Sequence, residues 1–294
     1  MSSPRAFRFG VNMFVASSRA EWIGKCRRAE ELGFDVLGVA DHLGMPAPFP
    51  AMTLAAEATE RPRLTTFVLN AAFYNPVLLA REVAAVDGFT DGRVELGLGA
   101  GYVKEEFDEA GIAFESGGKR VEHVERTAVT LRRLFADPEY RPRPAQPSGP
   151  PLLIAGWGDR LLSVAARHAD IVGFTGAQSA TAAGPLLLAG AEKMADRVAY
   201  VRAALGDRAD RVEYNLLLQK VVGPEESAAL LETYRPAFTE EAAANPADIP
   251  TLLTGSPEAA ADRLRELRER FGISYFTVLE DSMEAFAPIL DLLR

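Results

Sequence analysis

Short apolar runs alternate with stretches of helical periodicity along almost the whole chain. Residues 7–15 read as a first strand and 19–32 as a helix that Gly33 ends, since glycine takes a left-handed C-cap without steric cost. Residues 34–40 give a second strand and 64–70 a third. Pro76 opens a helix that stops near Gly88, and "RVELGLGAG" supplies the fourth strand. A polar, glycine-containing excursion over 102–118 leads into a helix over 119–135. The proline-rich "DPEYRPRPAQPSGPP", residues 137–151, is a loop, because proline suits neither a helix interior nor a central strand. The rhythm then resumes. "LLIAG" is the fifth strand, "DRLLSVAARHAD" a helix, "IVGFTG" the sixth strand and "GAEKMADRVAYVRAAL" a helix. "RVEYNLLLQKVV" reads as one long seventh strand. "SPEAAADRLRELRERFG" is a helix with a serine N-cap and proline at its first position, "ISYFTVLE" the eighth strand, and "SMEAFAPILDLLR" a final helical stretch.

Eight strands with helices between them predict an α/β fold: a parallel (β/α)8 TIM barrel rather than an open doubly wound sheet, the main competing arrangement. A length of 294 residues allows two average domains or one barrel with insertions. The uninterrupted rhythm favours one unit over residues 1–294, with 102–118 and 137–151 as insertion loops and its active site at the carboxyl ends of the strands.

Composition narrows the function classes. The formal charge of −9 argues against a general nucleic-acid surface. Cys26 is the single cysteine, which rules out an internal disulfide framework and a cysteine-rich zinc site and fits a reducing cytoplasm. No stretch approaches the ~20 apolar residues that span a bilayer. "MSSPRAFRFGVNMF" runs straight into a strand without the apolar core of a secretory signal. The expectation is a soluble cytoplasmic protein that binds neither membrane nor nucleic acid.

The second strand, within "VLGVADHLG", ends on Asp41 and His42, in a chain with three histidines. At a barrel's strand ends these side chains can project into the active-site mouth, or Asp41 can cap a turn while His42 packs. In "GLGAGY", Gly99 and Gly101 precede Tyr102, and the spacing is not that of a dinucleotide fingerprint. Small residues here are better explained by close approach of a flat ligand to the backbone, with a tight barrel rim as the alternative. "IAGWGDR" offers Ala155, Gly156, Trp157 and Gly158 at a strand–helix junction, where free N–H groups and the helix dipole favour phosphate and Arg160 adds charge. "GFTG" adds Thr175. His123 and His168 fall on helices without metal-ligand spacing, so no metal is expected. Neither a nucleophile elbow nor a Walker loop is present.

Four segments in order, "GVADHL", "VLNAAFYNPVLLAREVAAVDGFTDGRVELGLGAGY", "PPLLIAGWGDRLLSVAARHADIVGF" and "LLTGSPEAAADRLRELRERFGISYFTV", resemble the luciferase-like flavin and deazaflavin oxidoreductases over nearly the whole chain. The resemblance implies a barrel with an insertion, usually a homodimer, that binds FMN or coenzyme F420 at the strand ends. The "DH" and "GLGAG" patterns favour F420. Carried onto this chain, Asp41 and His42 lie by the ring, Val68 and Asn70 line its face, and residues 156–158 hold the phosphate. A non-prolyl cis bond behind the ring falls at Phe67–Val68. Two departures argue against glucose 6-phosphate as substrate: Tyr102 stands where sugar-phosphate dehydrogenases of the family carry glutamate, and "LGMPAPF" lacks their tryptophan.

The resulting expectation is F420-dependent hydride transfer to or from a small alcohol, ketone or enone, with His42 carrying the proton and Asp41 holding the ring or its partner in orientation. An FMN-dependent monooxygenase is the alternative within the family. A non-catalytic barrel that binds a cofactor or partner is the alternative of another class.

Overall fold

The computed structural model describes residues 5–14, 18–179 and 186–294. Its centre is a closed parallel barrel of β1 (Arg8–Met13), β2 (Val36–Val39), β3 (Arg63–Thr66), β4 (Val94–Gly99), β5 (Leu152–Gly156), β6 (Ile171–Phe174), β7 (Glu213–Leu218) and β8 (Tyr275–Leu279). Each strand pairs with its sequence neighbour, and β8 returns to β1 with Arg8 opposite Tyr275. Strands covered on both faces cannot alternate polar and apolar residues, which is why they read as continuous apolar runs. The helices, most of which pack around the barrel, are α1 (Arg19–Glu31), α2 (Pro48–Ala58), α3 (Pro76–Phe89), α4 (Lys104–Glu109), α5 (Gly117–Ala136), α6 (Asp159–His168), α7 (Ala191–Leu205), α8 (Pro224–Tyr234), α9 (Glu240–Ala244), α10 (Pro257–Phe271) and α11 (Met283–Asp291). Gly33 takes φ +91° behind α1, and Ser256 caps α10 with Pro257 in its first turn.

Several elements depart from the sequence-based expectation. The first strand ends at Met13, and Val15, its expected last residue, lies outside the described residues. The long seventh strand is broken. After Leu218 the Gln219 N–H donates to Thr251 O at 2.7 Å, and Lys220–Val222 pairs instead with Leu252–Thr254 outside the barrel. The segment from 219 to 256, with α8 and α9, is thus an excursion on the carboxyl face. A second excursion follows β6, where Ala177–Ser179 pairs antiparallel with Leu186–Leu188. The two expected insertions lie at opposite ends. Residues 102–118 follow β4 on the carboxyl face and contain α4, whereas 137–151 join α5 to β5 and so lie at the amino end. There Gln146 bonds the Asp87 carboxylate at 2.8 Å and Val94 O at 2.8 Å.

The amino end of the barrel is closed by ions. Arg8 reaches Glu95 at 2.6 Å and Glu213 at 2.5 Å, and Arg63 reaches Glu95 at 2.7 Å. The carboxyl end is shaped by a bulge. Leu64 pairs with Val94 but Leu69 pairs with Leu98, so β3 carries one residue more than β4 over this interval. The extra residue falls at Phe67–Val68, whose peptide bond is cis.

Candidate functional site

The strand ends open into a cavity of about 810 Å³. One wall begins where β2 ends. Asp41 Oδ2 accepts the Asn70 N–H at 2.9 Å, and Oδ1 accepts the Tyr74 hydroxyl at 3.4 Å. Asp41 thereby ties the end of β2 to the segment after the bulge. Burial pushes its carboxyl above the ordinary aspartate range, against the opposing pull of those two donors. His42 faces a different partner: its Nδ1 stands 2.7 Å from Glu106 Oε1. Asp41 thus holds the segment after the bulge and not the imidazole. Glu106 holds it, brought there by α4, where Glu105 and Glu106 occupy a first turn that favours acids. With Glu106 ionised, Nδ1 carries the proton and Nε2 is the acceptor. Tyr102 meets the imidazole edge-on, with ring centroids 5.9 Å apart.

The adjoining wall is the bulge itself: Phe67, Val68 and Asn70 line the cavity beside Gly99 and Gly101. A Cβ on Gly99 would stand 2.7 Å from Val68 Cγ2. Gly101 has φ +69°, and its Cβ would stand 2.4 Å from Asn70 Oδ1. These glycines make room for the bulge behind them, so of the two sequence-based explanations the tight rim holds. Their smallness lets Val68 and Asn70 face the cavity.

Across the barrel, Ala155, Gly156, Trp157 and Gly158 line the opposite wall with Thr175. Gly158 is the N-cap of α6, no side chain caps that helix, and a Cβ at Gly158 would meet nothing within 4 Å. The first N–H groups of α6 are free for an anion. The Trp157 indole N–H on the same loop is buried without a hydrogen-bond partner among the described residues. The Thr175 hydroxyl is turned to Ala177 O at 3.3 Å. Arg160 does not reach the cavity. Its side chain is 70% exposed and stands 3.5 Å from Glu122 on the outer surface, because the second residue of α6 points away from the barrel axis. The cations that line this wall are Lys193 and Arg197 of α7, one turn apart, with Arg197 paired to Asp159. Their K-x-x-x-R spacing was legible, but only the packing of α7 on α6 turns that face inward. Glu106 was missed for a related reason: "KEEF" looks like any solvated helix face.

The remaining histidines sit outside this cavity, His123 with Nε2 3.1 Å from Tyr74 O and His168 with Nε2 3.0 Å from Glu125. Among the described residues no cluster of three or more His, Cys, Asp or Glu side chains could hold a metal ion, and no helix is long and apolar enough to cross a membrane.

A barrel with a bulged third strand, a strand-end histidine and a glycine-rich anion seat defines a class of cofactor-binding enzyme folds. Residues 9–274 match the model of the luciferase-like monooxygenase family, and the chain belongs to that family. It is similar to an F420-dependent glucose-6-phosphate dehydrogenase of Intrasporangium calvum, 31% identical over 168 residues that cover 49% of this chain and 50% of that protein. The chain spans about half the length of the curated relatives it matches. In fold it resembles the coenzyme F420-dependent tetrahydromethanopterin reductase of Methanopyrus kandleri, with TM-score 0.74, 17% identity, and coverage of 99% of this chain and 100% of that one. A riboflavin lyase solved with modified FMN and riboflavin is also similar, with TM-score 0.77, 16% identity, and coverage of 99% and 92%.

Proposed function

We propose that this protein is an oxidoreductase that moves hydride between coenzyme F420 and a small organic substrate, an alcohol, ketone or enone, and that residues 1–294 act as one catalytic unit. The observation that carries the reading is the division of one cavity into two unlike ends. A ring seat of Val68, Asn70 and the His42–Glu106 pair faces an anion seat of residues 155–158 with Lys193 and Arg197. The residues fit a planar cofactor with an anionic tail: the α6 N-terminus is uncapped, the Trp157 N–H lacks a partner, and the bulge offers an apolar face. When bound, F420 would supply two-electron hydride chemistry with little oxygen activation.

The chain's own residues do the rest. His42 Nε2 takes or returns the substrate hydroxyl proton, while Glu106 holds Nδ1–H so that the ring keeps one orientation. Asp41 fixes the end of β2 against Asn70. The backbone of residues 155–158 and the two α7 cations bind the tail. Titration of the purified protein with F420 and with FMN tests the choice. Tight selective binding of F420 is expected. Selective binding of FMN would favour a monooxygenase using reduced flavin and oxygen, and binding of neither would favour a non-catalytic barrel.

A cytoplasmic homodimer completes the proposal. The helices after the second and third strands, around 53–59 and 77–86, would supply the interface, where Val77 and Leu78 are 51% and 52% exposed. Light scattering at micromolar concentration should give twice the chain mass, and a monomer's mass would end this part of the reading.

A further inference from the structure

The cavity is electrically divided, and the division has a consequence for the second reactant. β2 and β6 lie on opposite sides of the eight-stranded barrel. Lys193 and Arg197, the two Lys or Arg side chains among its lining residues, belong to the β5–β6 side, where Arg197 meets Asp159 at the start of α6. The wall around His42 carries Asp41 and Glu106 instead. Asp41 accepts from the Asn70 N–H and the Tyr74 hydroxyl. Two carboxyl groups and one imidazole thus share this wall, and the Lys and Arg side chains that line the cavity stand on the other. Lys104 of α4 adds no cation to the His42 wall, because its ammonium is bonded to Asp108 on the outer face.

Beside these groups the surface is apolar. Met45 follows His42 in a turn closed by a Met45 N–H to His42 O bond of 3.1 Å and is 36% exposed. Tyr102, against the imidazole, is 55% exposed, and Phe14 and Val103 complete the rim. Large apolar side chains left open around a half-buried histidine and two carboxyl groups form a seat for hydrocarbon that disfavours a further anion.

Resting on the oxidoreductase reading above, we infer that the substrate is an uncharged alcohol or ketone with hydrocarbon flanks, seated between His42 and the Met45–Tyr102 rim. Substrates that bring a carboxylate or phosphate to this wall are turned away by Asp41 and Glu106. The relative that acts on glucose 6-phosphate therefore differs from this chain in substrate charge as well as in sequence.

The test uses the protein without cofactor, so that it does not depend on F420. The His42 imidazole resonance, assigned with His42→Asn, is followed in titrations with 2-hexanol, 5-hydroxyhexanoate, the methyl ester of that acid, and glucose 6-phosphate. The two neutral alcohols should shift the signal, and the carboxylate and phosphate should need at least about tenfold higher concentration, by the repulsion of like charges at a partly buried wall. Met45→Arg, which places a cation beside the rim, should close most of that gap. Equal or tighter binding of the anions, no shift with either neutral alcohol, or an unchanged gap in Met45→Arg would each overturn the inference. A preference for the neutral alcohols in a protein that fails to bind F420 would uphold it while removing the cofactor reading.

Discussion

His42 Nδ1 and Glu106 Oε1 stand 2.7 Å apart, although 64 positions separate them in sequence. The bond joins the end of β2 to the short helix after β4, and it leaves Nε2 as the ring nitrogen not engaged by Glu106. His42→Asn preserves much of the shape and cannot carry the proton. Its turnover with a true alcohol substrate should fall about 100-fold or more with F420 affinity nearly unchanged, the usual scale of general acid–base catalysis. Glu106→Gln should lower turnover less, by about tenfold, and change the tautomer reported by the His42 nitrogen shifts. Wild-type turnover in His42→Asn would assign the proton to another group.

The anion seat makes a contrast between two arginines. Gly158→Val adds bulk at an N-cap with φ −75° and open space around its Cβ, so melting should be unchanged while F420 affinity falls. Arg197→Ala should weaken F420 binding about tenfold, the scale of one lost charge-assisted contact, and Arg160→Ala should leave it unaltered. Fluorescence titration of the three variants checks the assignment, and an effect of Arg160→Ala as large as that of Arg197→Ala would reverse it.

Gly101→Ala should destabilise the fold itself. The position has φ +69°, and a methyl there would stand 2.4 Å from Asn70 Oδ1. Left-handed backbone at a non-glycine residue costs about 1–3 kcal/mol, and the collision with Asn70 adds to it. Urea unfolding should report a loss of at least that size, together with weakened cofactor binding as Asn70 is displaced.

The ionic floor makes stability depend on pH. Burial lifts the Glu213 carboxyl above the ordinary glutamate range, against the opposing pull of Arg8. A group with a raised folded pKa contributes its full stability below the unfolded pKa and loses it as pH rises through the folded one. Replacing it with Gln removes that loss. Glu213→Gln should therefore gain stability relative to wild type as pH is raised from about 4 towards 8, around the reference glutamate pKa. A difference between the two proteins that is flat across this window would exclude Glu213 as the source.

The barrel was legible because its physics is local. Parallel strands covered on both faces must be apolar throughout, and helices begin and end where Ser256, Pro257 and Gly33 make it inexpensive in backbone terms. The break at Gln219 was not legible, because its cause is not local. The Gln219 side chain and neighbours satisfy strand periodicity, and only the Thr251 carbonyl, 32 positions away, draws the Gln219 N–H out of the barrel.

The sequence by itself determined eight strands, their order, and the strand ends on which Asp41, His42, Val68, Asn70 and residues 155–158 would meet around one cavity. Tertiary structure alone decided which charged side chains join them. Arg160 and Arg197 are both polar residues on amphipathic helices, and each helix's rotation about its own axis, set by packing against its neighbours, turns one outward to Glu122 and the other inward to Asp159. Glu106 pairs with His42 for the same reason. A long-range hydrogen bond leaves no periodic trace in the chain, because it depends on where two separately determined segments converge in space.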